Sequence, residues 1–249
     1  MAYSIALAGK GGAGKTTMAA LLIKYLVEKG KRPTLAVDAD ANANLNEVLG
    51  LEVEETLGDA REEMKKGVAT GMTKDVFMEM KIQQAIVESE GFDLVVMGRP
   101  EGPGCYCAAN SLLTMYLEKL VNNYSYMVTD NEAGMEHISR LTTDNIDILL
   151  VVSDPTRRGI QAAARIVTLT DELGLSVGRK FLVVNQAKPG QEEAIEKALA
   201  PYKLDLAGTV PEDVQVQEFD LEGRPIVELN EHSPVLQAAY GIFEKILEK

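Results

Sequence analysis

Three groups of residues carry side chains whose types and spacing could do chemistry. The first, "GKGGAGKTT" (Gly9 to Thr17), fits the phosphate-loop spacing GxxxxGK(S/T) through Gly9, Gly14, Lys15 and Thr16. It follows an apolar run and opens a helical pattern, the context in which that spacing binds phosphate. Gly9, Gly11, Gly12 and Gly14, with the small Ala13, let the backbone pass close around an anion. Successive N–H groups and the helix N-terminus then face it with positive potential. Lys15 is expected to reach the β- and γ-phosphates and Thr16 to ligate Mg2+, with Thr17 completing the cradle.

The second group is acidic and comes from two stretches. "VDADANANL" places Asp38 and Asp40 just past a second apolar run, and "TDNEAG" places Asp130 at the end of another. Aspartates there can hold a metal or a water, and they can equally form turns or caps. The turn-forming reading is strongest for Asp38.

The third is "MGRPEGPGCYCAAN" (97–110), which contains both cysteines of the chain, Cys105 and Cys107. A disulfide at i,i+2 would be badly strained. Two thiolates from one loop can instead chelate a single ion. Near a two-fold axis two become four, a full shell for Zn2+, an iron–sulfur cluster or a soft-ligand Ni2+ site. The plain alternative is a pair of small buried hydrophobes.

Something must position these groups. Strands are predicted at 3–9, 33–38, 93–98, 126–130, 147–153, 180–186 and 206–211, mostly as continuous apolar runs, the pattern of strands buried on both faces of a parallel sheet. Helical patterns lie near 15–29, 74–90, 109–122, 157–173, 190–199 and 234–248. The segment 52–92, rich in Glu, Lys and Met, reads as a mostly solvated helical cover. Alternating strand and helix imply an α/β fold: one domain over 1–249 with a mostly parallel open sheet and helices on both faces. Ligands of such sheets bind at the carboxyl ends of the strands.

Composition narrows the partners. Hydrophobic residues make up 46% of the 249 positions, enough for a sizeable core. Lys and Arg number 25 against 38 Asp and Glu, for a net charge of −13. That balance argues against nucleic acid or an anionic membrane as the main partner. No leader-like or membrane-spanning pattern is seen, so a cytoplasmic location with reduced thiols is expected.

Lys10, a second lysine at the start of the phosphate loop, makes the chain resemble the deviant Walker ATPases, the group of MinD, ParA and the nitrogenase iron protein. The resemblance implies a homodimer enclosing two nucleotides, with Lys10 reaching the partner's ATP. It implies that Asp40 orients or activates the attacking water and that Asp38 supports the magnesium side. Asp130 would act as a Walker-B aspartate holding Mg2+ through water, and Gly134 as a switch pivot. Asn185, in "FLVVNQ", matches the group's adenine-reading asparagine, and Pro211, in "GTVPED", a wall beside the base. A guanine site would need an acidic reader that "NQAK" lacks, which favours ATP.

The four segments "KGGAGKTT", "DADANANL", "GRPEGPGCYC" and "TDNEAGMEHISR" together look like the CooC-type accessory ATPases of carbon monoxide dehydrogenase and their relatives that serve acetyl-CoA synthase. That resemblance implies ATP-dependent nickel insertion into a nickel–iron client enzyme, with Cys105 and Cys107 sharing nickel, or zinc, across the dimer. The alternatives are a MinD/ParA-like positioning ATPase and an iron–sulfur electron donor. The cysteine that follows the Walker-B aspartate in the nitrogenase iron protein has no counterpart in "DNEAGMEHISR". His137, His232, Arg157 and Arg158 receive no role from the sequence.

Overall fold

The computed structural model describes residues 2–40, 42–67, 71–98, 115, 118–131 and 145–247. Their strands are β1 (Tyr3–Gly9), β2 (Thr34–Asp38), β3 (Ile86–Glu88), β4 (Phe92–Val96), β5 (Tyr126–Asp130), β6 (Asn145–Ser153), β7 (Ser176–Ala187) and β8 (Asp205–Pro211). They form one sheet in the order β3-β4-β2-β5-β1-β6-β7-β8. All neighbours pair in parallel except β3, which runs antiparallel to β4 along one edge. The mostly parallel α/β expectation therefore holds. Continuous apolar runs make the central strands: every residue of β2, and all of β1 after Tyr3, is buried.

Helices cover both faces. Against one lie α1 (Lys15–Glu28) and α8 (Pro234–Leu247), which join Ile5, Leu7, Val128, Leu150 and Val152 in one core. On the other face, α3 (Leu57–Lys66) and α4 (Lys74–Gln84) pack over the β2–β4 half, and α5 (Arg157–Glu172) and α6 (Glu192–Leu199) over the β6–β7 half. The short α2 (Leu45–Leu49) follows β2, and α7 (Val214–Glu222) follows β8.

Three sequence expectations change and one is qualified. The helix predicted over 74–90 stops at Gln84, because Ile86 and Val87 pair with Val95 and Leu94; β-branched side chains suit a pleated surface better than a helix interior. The 52–92 segment is mostly solvated as expected, but its helices also bury one face: Leu57, Met64, Phe77, Met78 and Ile82 enter a core, with Lys81 bridging Glu55 and Glu63 above them at 3.1 and 2.9 Å. β7 starts at Ser176 rather than 180, its first residues pairing with Asn145 and Ile146 of β6. Finally, α7 was not predicted, although Asp213 caps its start by accepting from the Gln215 amide and Gly223 ends it at φ 66°. Of the helix predicted over 109–122, most lies outside the described residues.

Candidate functional site

Parallel pairing brings Gly9, Asp38, Val96, Asp130, Ser153, Ala187 and Pro211 to one edge of the sheet, each ending its strand. The phosphate loop leaves the middle of that edge. At Gly9 (φ 154°) an added Cβ would lie 2.2 Å from the Val152 carbonyl oxygen, so only glycine lets the loop leave between β5 and β6. The Ala13 amide donates to the Lys10 carbonyl at 3.2 Å, closing the turn. Gly14 (φ 87°) takes the N-cap place of α1 without a side-chain cap, which leaves the first-turn amides facing the loop. Lys10, Gly11 and Gly12 are exposed at its crest, Ala13 is buried, and Thr16 and Thr17 are half-buried. Lys15 is only 7% exposed, and its ammonium donates to the Lys10 carbonyl at a long 3.5 Å. A buried cation so lightly held, beside the uncapped N-terminus of α1, suits an anion.

Asp38 and Asp130 are in-register neighbours on β2 and β5, so their side chains share one face of the sheet. Asp38 is fully buried. Its Oδ1 accepts from the Asp40 amide at 3.0 Å and its Oδ2 from the Leu45 amide at 2.9 Å. It therefore fixes the turn that carries Asp40 and anchors the start of α2, the capping role foreseen for it. Burial pushes its carboxyl up to about 6 against those bonds, with the charge of Asp40 adding to the rise. Asp40 is half-buried and accepts from the Asn42 amide at 2.8 Å.

Asp130 is 1% exposed and accepts from the Thr16 hydroxyl, while its Oδ1 is buried without a hydrogen-bond partner. Burial pushes it up to about 7; Asp38 and Asp40 add to the rise, and Thr16 and Lys15 oppose it. An orphaned carboxylate oxygen beside a threonine hydroxyl, next to the phosphate loop, suits a hard cation that keeps several waters, as Mg2+ does. These residues fit a magnesium nucleotide.

Asn185 lies two residues before the end of β7 and is 8% exposed; its Nδ2 donates to the Ala13 carbonyl at 3.0 Å. Pro211 ends the neighbouring β8 and pairs with Ala187. Arg157 and Arg158 are exposed in the first turn of α5 on the same edge, and His232 is exposed in the turn before α8, 3.8 Å from Glu231. Asn131 was missed by the sequence reading. It is buried, its Nδ2 donates to the Leu7 carbonyl at 2.8 Å, and its Oδ1 has no partner. The available signal was a polar residue directly after a strand-ending aspartate.

Cys105, Cys107, Gly134 and His137 lie outside the described residues. Among the described residues, no three His, Cys, Asp or Glu side chains group as a metal site, and no helix is long and apolar enough to cross a membrane.

Comparison with known proteins follows the same lines. Residues 4–226 match the CbiA family, the CobQ/CobB/MinD/ParA nucleotide binding domain. An uncharacterized ATP-binding protein of Methanocaldococcus jannaschii, MJ0685, is 43% identical over 250 residues that cover 98% of each chain. The carbon monoxide dehydrogenase accessory protein CooC of Rhodospirillum rubrum is 30% identical over 262 residues, covering 98% of this chain and 96% of that one. In three dimensions, the septum site-determining protein MinD of Pyrococcus horikoshii, complexed with Mg-ADP, superposes with a TM-score of 0.74 at 23% identity, covering 99% of this chain and 96% of that one.

Proposed function

The chain belongs to the CobQ/CobB/MinD/ParA nucleotide-binding family, and on that premise we propose that it is an ATP-hydrolysing homodimer that carries nickel to carbon monoxide dehydrogenase or acetyl-CoA synthase. The observation that carries the reading is the strand order. β4 ends beside β2, so the chain that leaves Gly98 toward Cys105 and Cys107 starts from the edge that holds Gly9, Asp38 and Asp130. The likeness to CooC supports the choice of cargo.

In this reading the loop from Gly9 to Thr17 holds the triphosphate and the buried Lys15 neutralises it. Thr16 and Asp130 hold Mg2+, which neutralises charge on the β- and γ-oxygens when bound. Asp40 orients the attacking water, and Asp38 keeps Asp40 in place through the backbone bond at 3.0 Å. Lys10, exposed at the crest, reaches the nucleotide of a second subunit and stabilises transition-state charge only when two subunits close. Closure brings two Cys105 and two Cys107 thiolates around one Ni2+. Hydrolysis then relaxes the turn 38–45, and the cargo passes to its client. Metal affinity and nucleotide state are thus reciprocally linked, by a coupling of about 1–3 kcal/mol.

Native mass spectrometry of anaerobically purified protein tests this. With Ni2+ and a non-hydrolysable ATP analogue, a dimer carrying one nickel ion is expected, lost in Cys105→Ala. A chain that binds nucleotide but ignores nickel sinks the proposal. A positioning ATPase of the MinD kind has less support here. The amphipathic α8 commits Val235, Leu236, Ala239, Ile242, Phe243 and Ile246 to the core, so among its described residues its apolar face packs on the domain.

A further inference from the structure

Asn185 does something in this fold that reading a base does not require. Between β7 and β8 the ladder is out of step. Val184 pairs with Thr209 and Ala187 with Pro211, so two residues, Asn185 and Gln186, stand opposite Val210 alone. Such a bulge bends a strand and re-aims a side chain. Gln186 completes it at φ 58°, a left-handed conformation uncommon for a residue with a side chain. The effect is to turn Asn185 inward, against the phosphate loop. Its Nδ2 donates to the Ala13 carbonyl at 3.0 Å, and the same nitrogen lies 2.2 Å from where a Cβ on Gly14 would sit. The one side chain thus touches the loop at the two residues that precede Lys15.

An amide nitrogen carries two hydrogens and the amide oxygen accepts besides. One N–H is taken by Ala13. The other N–H and Oδ1 remain, and together they match an adenine edge, which offers an acceptor nitrogen beside a donating amino group. We propose that Asn185 is a positioning residue for the phosphate loop, its amide bridging the Ala13 carbonyl and the adenine so that base occupancy and loop geometry are linked. The bridge deepens the ATP reading above and rests on it, whereas the contact with Ala13 does not.

The test separates the two halves with a probe that has phosphates and no base. Calorimetric titration of magnesium tripolyphosphate and of magnesium ATP is compared for the wild type, Asn185→Ala and Asn185→Asp. Loss of one well-placed hydrogen bond should weaken tripolyphosphate binding about fivefold to tenfold in Asn185→Ala. The loss should be greater in Asn185→Asp, which sets a carboxylate against the Ala13 carbonyl. ATP should weaken further than tripolyphosphate in both variants.

If ATP weakens while tripolyphosphate is unchanged, Asn185 is a base reader only and the positioning role is overturned. If both weaken by the same factor, the loop contact stands and the adenine reading fails. A merely structural role would lower the unfolding temperature and leave both affinities of the folded protein unmoved, which also overturns the proposal. Should neither variant fold, the wild type decides. Adenosine must then tighten tripolyphosphate binding several-fold, and independent binding of the two refutes the bridge.

Discussion

The two ends of the same strands are built on opposite terms. At the amino ends the polar groups are paired. The Ser4 amide, just before β1 joins β6, donates to the Asp147 carboxylate at 2.7 Å. Arg179 donates to the Tyr3 hydroxyl at 2.8 Å, Lys31 to the Tyr126 hydroxyl at 3.3 Å, and Tyr124 to Asp93 at 2.5 Å. At the carboxyl ends, Asp130 Oδ1, Asn131 Oδ1 and Thr129 Oγ1 are buried with no partner, two buried aspartates stand side by side, and Lys15 has one long hydrogen bond. A buried unpartnered polar group costs about 1–3 kcal/mol, so the carboxyl edge is less stable alone than it would be with something bound. One end holds the sheet together, and the other is left to be completed by a ligand.

The largest expected break of this contrast is at Asp40. Asp40→Ala should slow ATP hydrolysis by about a hundredfold or more, with nucleotide affinity changed far less, because in the proposed mechanism Asp40 acts on the water and not on the phosphates. Single-turnover hydrolysis and a separate nucleotide titration measure the two. Equal loss in both would move Asp40 from the reaction to binding.

Asp130 sharpens the contrast through stability. Its folded pKa of about 7, like the value of about 6 for Asp38, lies above the ordinary aspartate value of 3.8. Between those limits the folded chain binds more protons than the unfolded one. The contribution of both groups is complete below about pH 4 and is lost as pH rises through the folded values. The nucleotide-free protein should therefore become easier to unfold in urea from about pH 5.5 to about pH 8, by roughly 1–3 kcal/mol. Asp130→Asn should remove much of that slope and stabilise the free protein at about pH 8 while impairing hydrolysis. A variant less stable than wild type at pH 8 would mean that the carboxylate is held by groups beyond Thr16 and Lys15.

How much of this was legible in the sequence depended on the reach of each interaction. The phosphate loop was readable because its spacing is local and its glycines are demanded by backbone geometry, as Gly9 shows against Val152. The capping role of Asp38 was readable too, since the amides it holds lie two and seven residues on. The bond from Asn185 to Ala13 spans 172 residues and depends on a bulge in the β7–β8 ladder, which no local pattern announces. β3 was hidden because a helical pattern runs into it. Only the pairing of Ile86 and Val87 with β4 reverses that local preference. The burial of Met64, Phe77 and Met78 was obscured by the Glu and Lys around them. Glu63, Lys66, Lys74 and Glu79 are exposed, and Lys81 is drawn in between Glu55 and Glu63.

The amino edge supplies the smaller effects, and these must leave hydrolysis alone. Asp147→Ala strips the partner from the Ser4 amide and should cost about 1–2 kcal/mol of stability in urea unfolding, with the hydrolysis rate unchanged.

The smallest effect belongs to Tyr124→Phe, which keeps the ring and deletes only the hydroxyl that donates to Asp93. Burial first, and then that carboxylate, push the Tyr124 phenol above its ordinary value, so it stays protonated in the folded chain. Asp93 is half-exposed and regains water when the hydroxyl is gone, which holds the cost to roughly 1 kcal/mol, or about 2–4 °C in unfolding temperature for a chain of this size. A raised acid contributes stability below its unfolded pKa and loses it as pH rises through the folded one. Wild type should therefore lose stability above about pH 10 by a margin that Tyr124→Phe does not share. Because the hydroxyl sits at the far end of β4 and β5 from Asp130, the same variant should turn over ATP at the wild-type rate. A clear loss of turnover would mean that the two ends of the sheet are coupled, and the division between a holding edge and a binding edge would have to be abandoned.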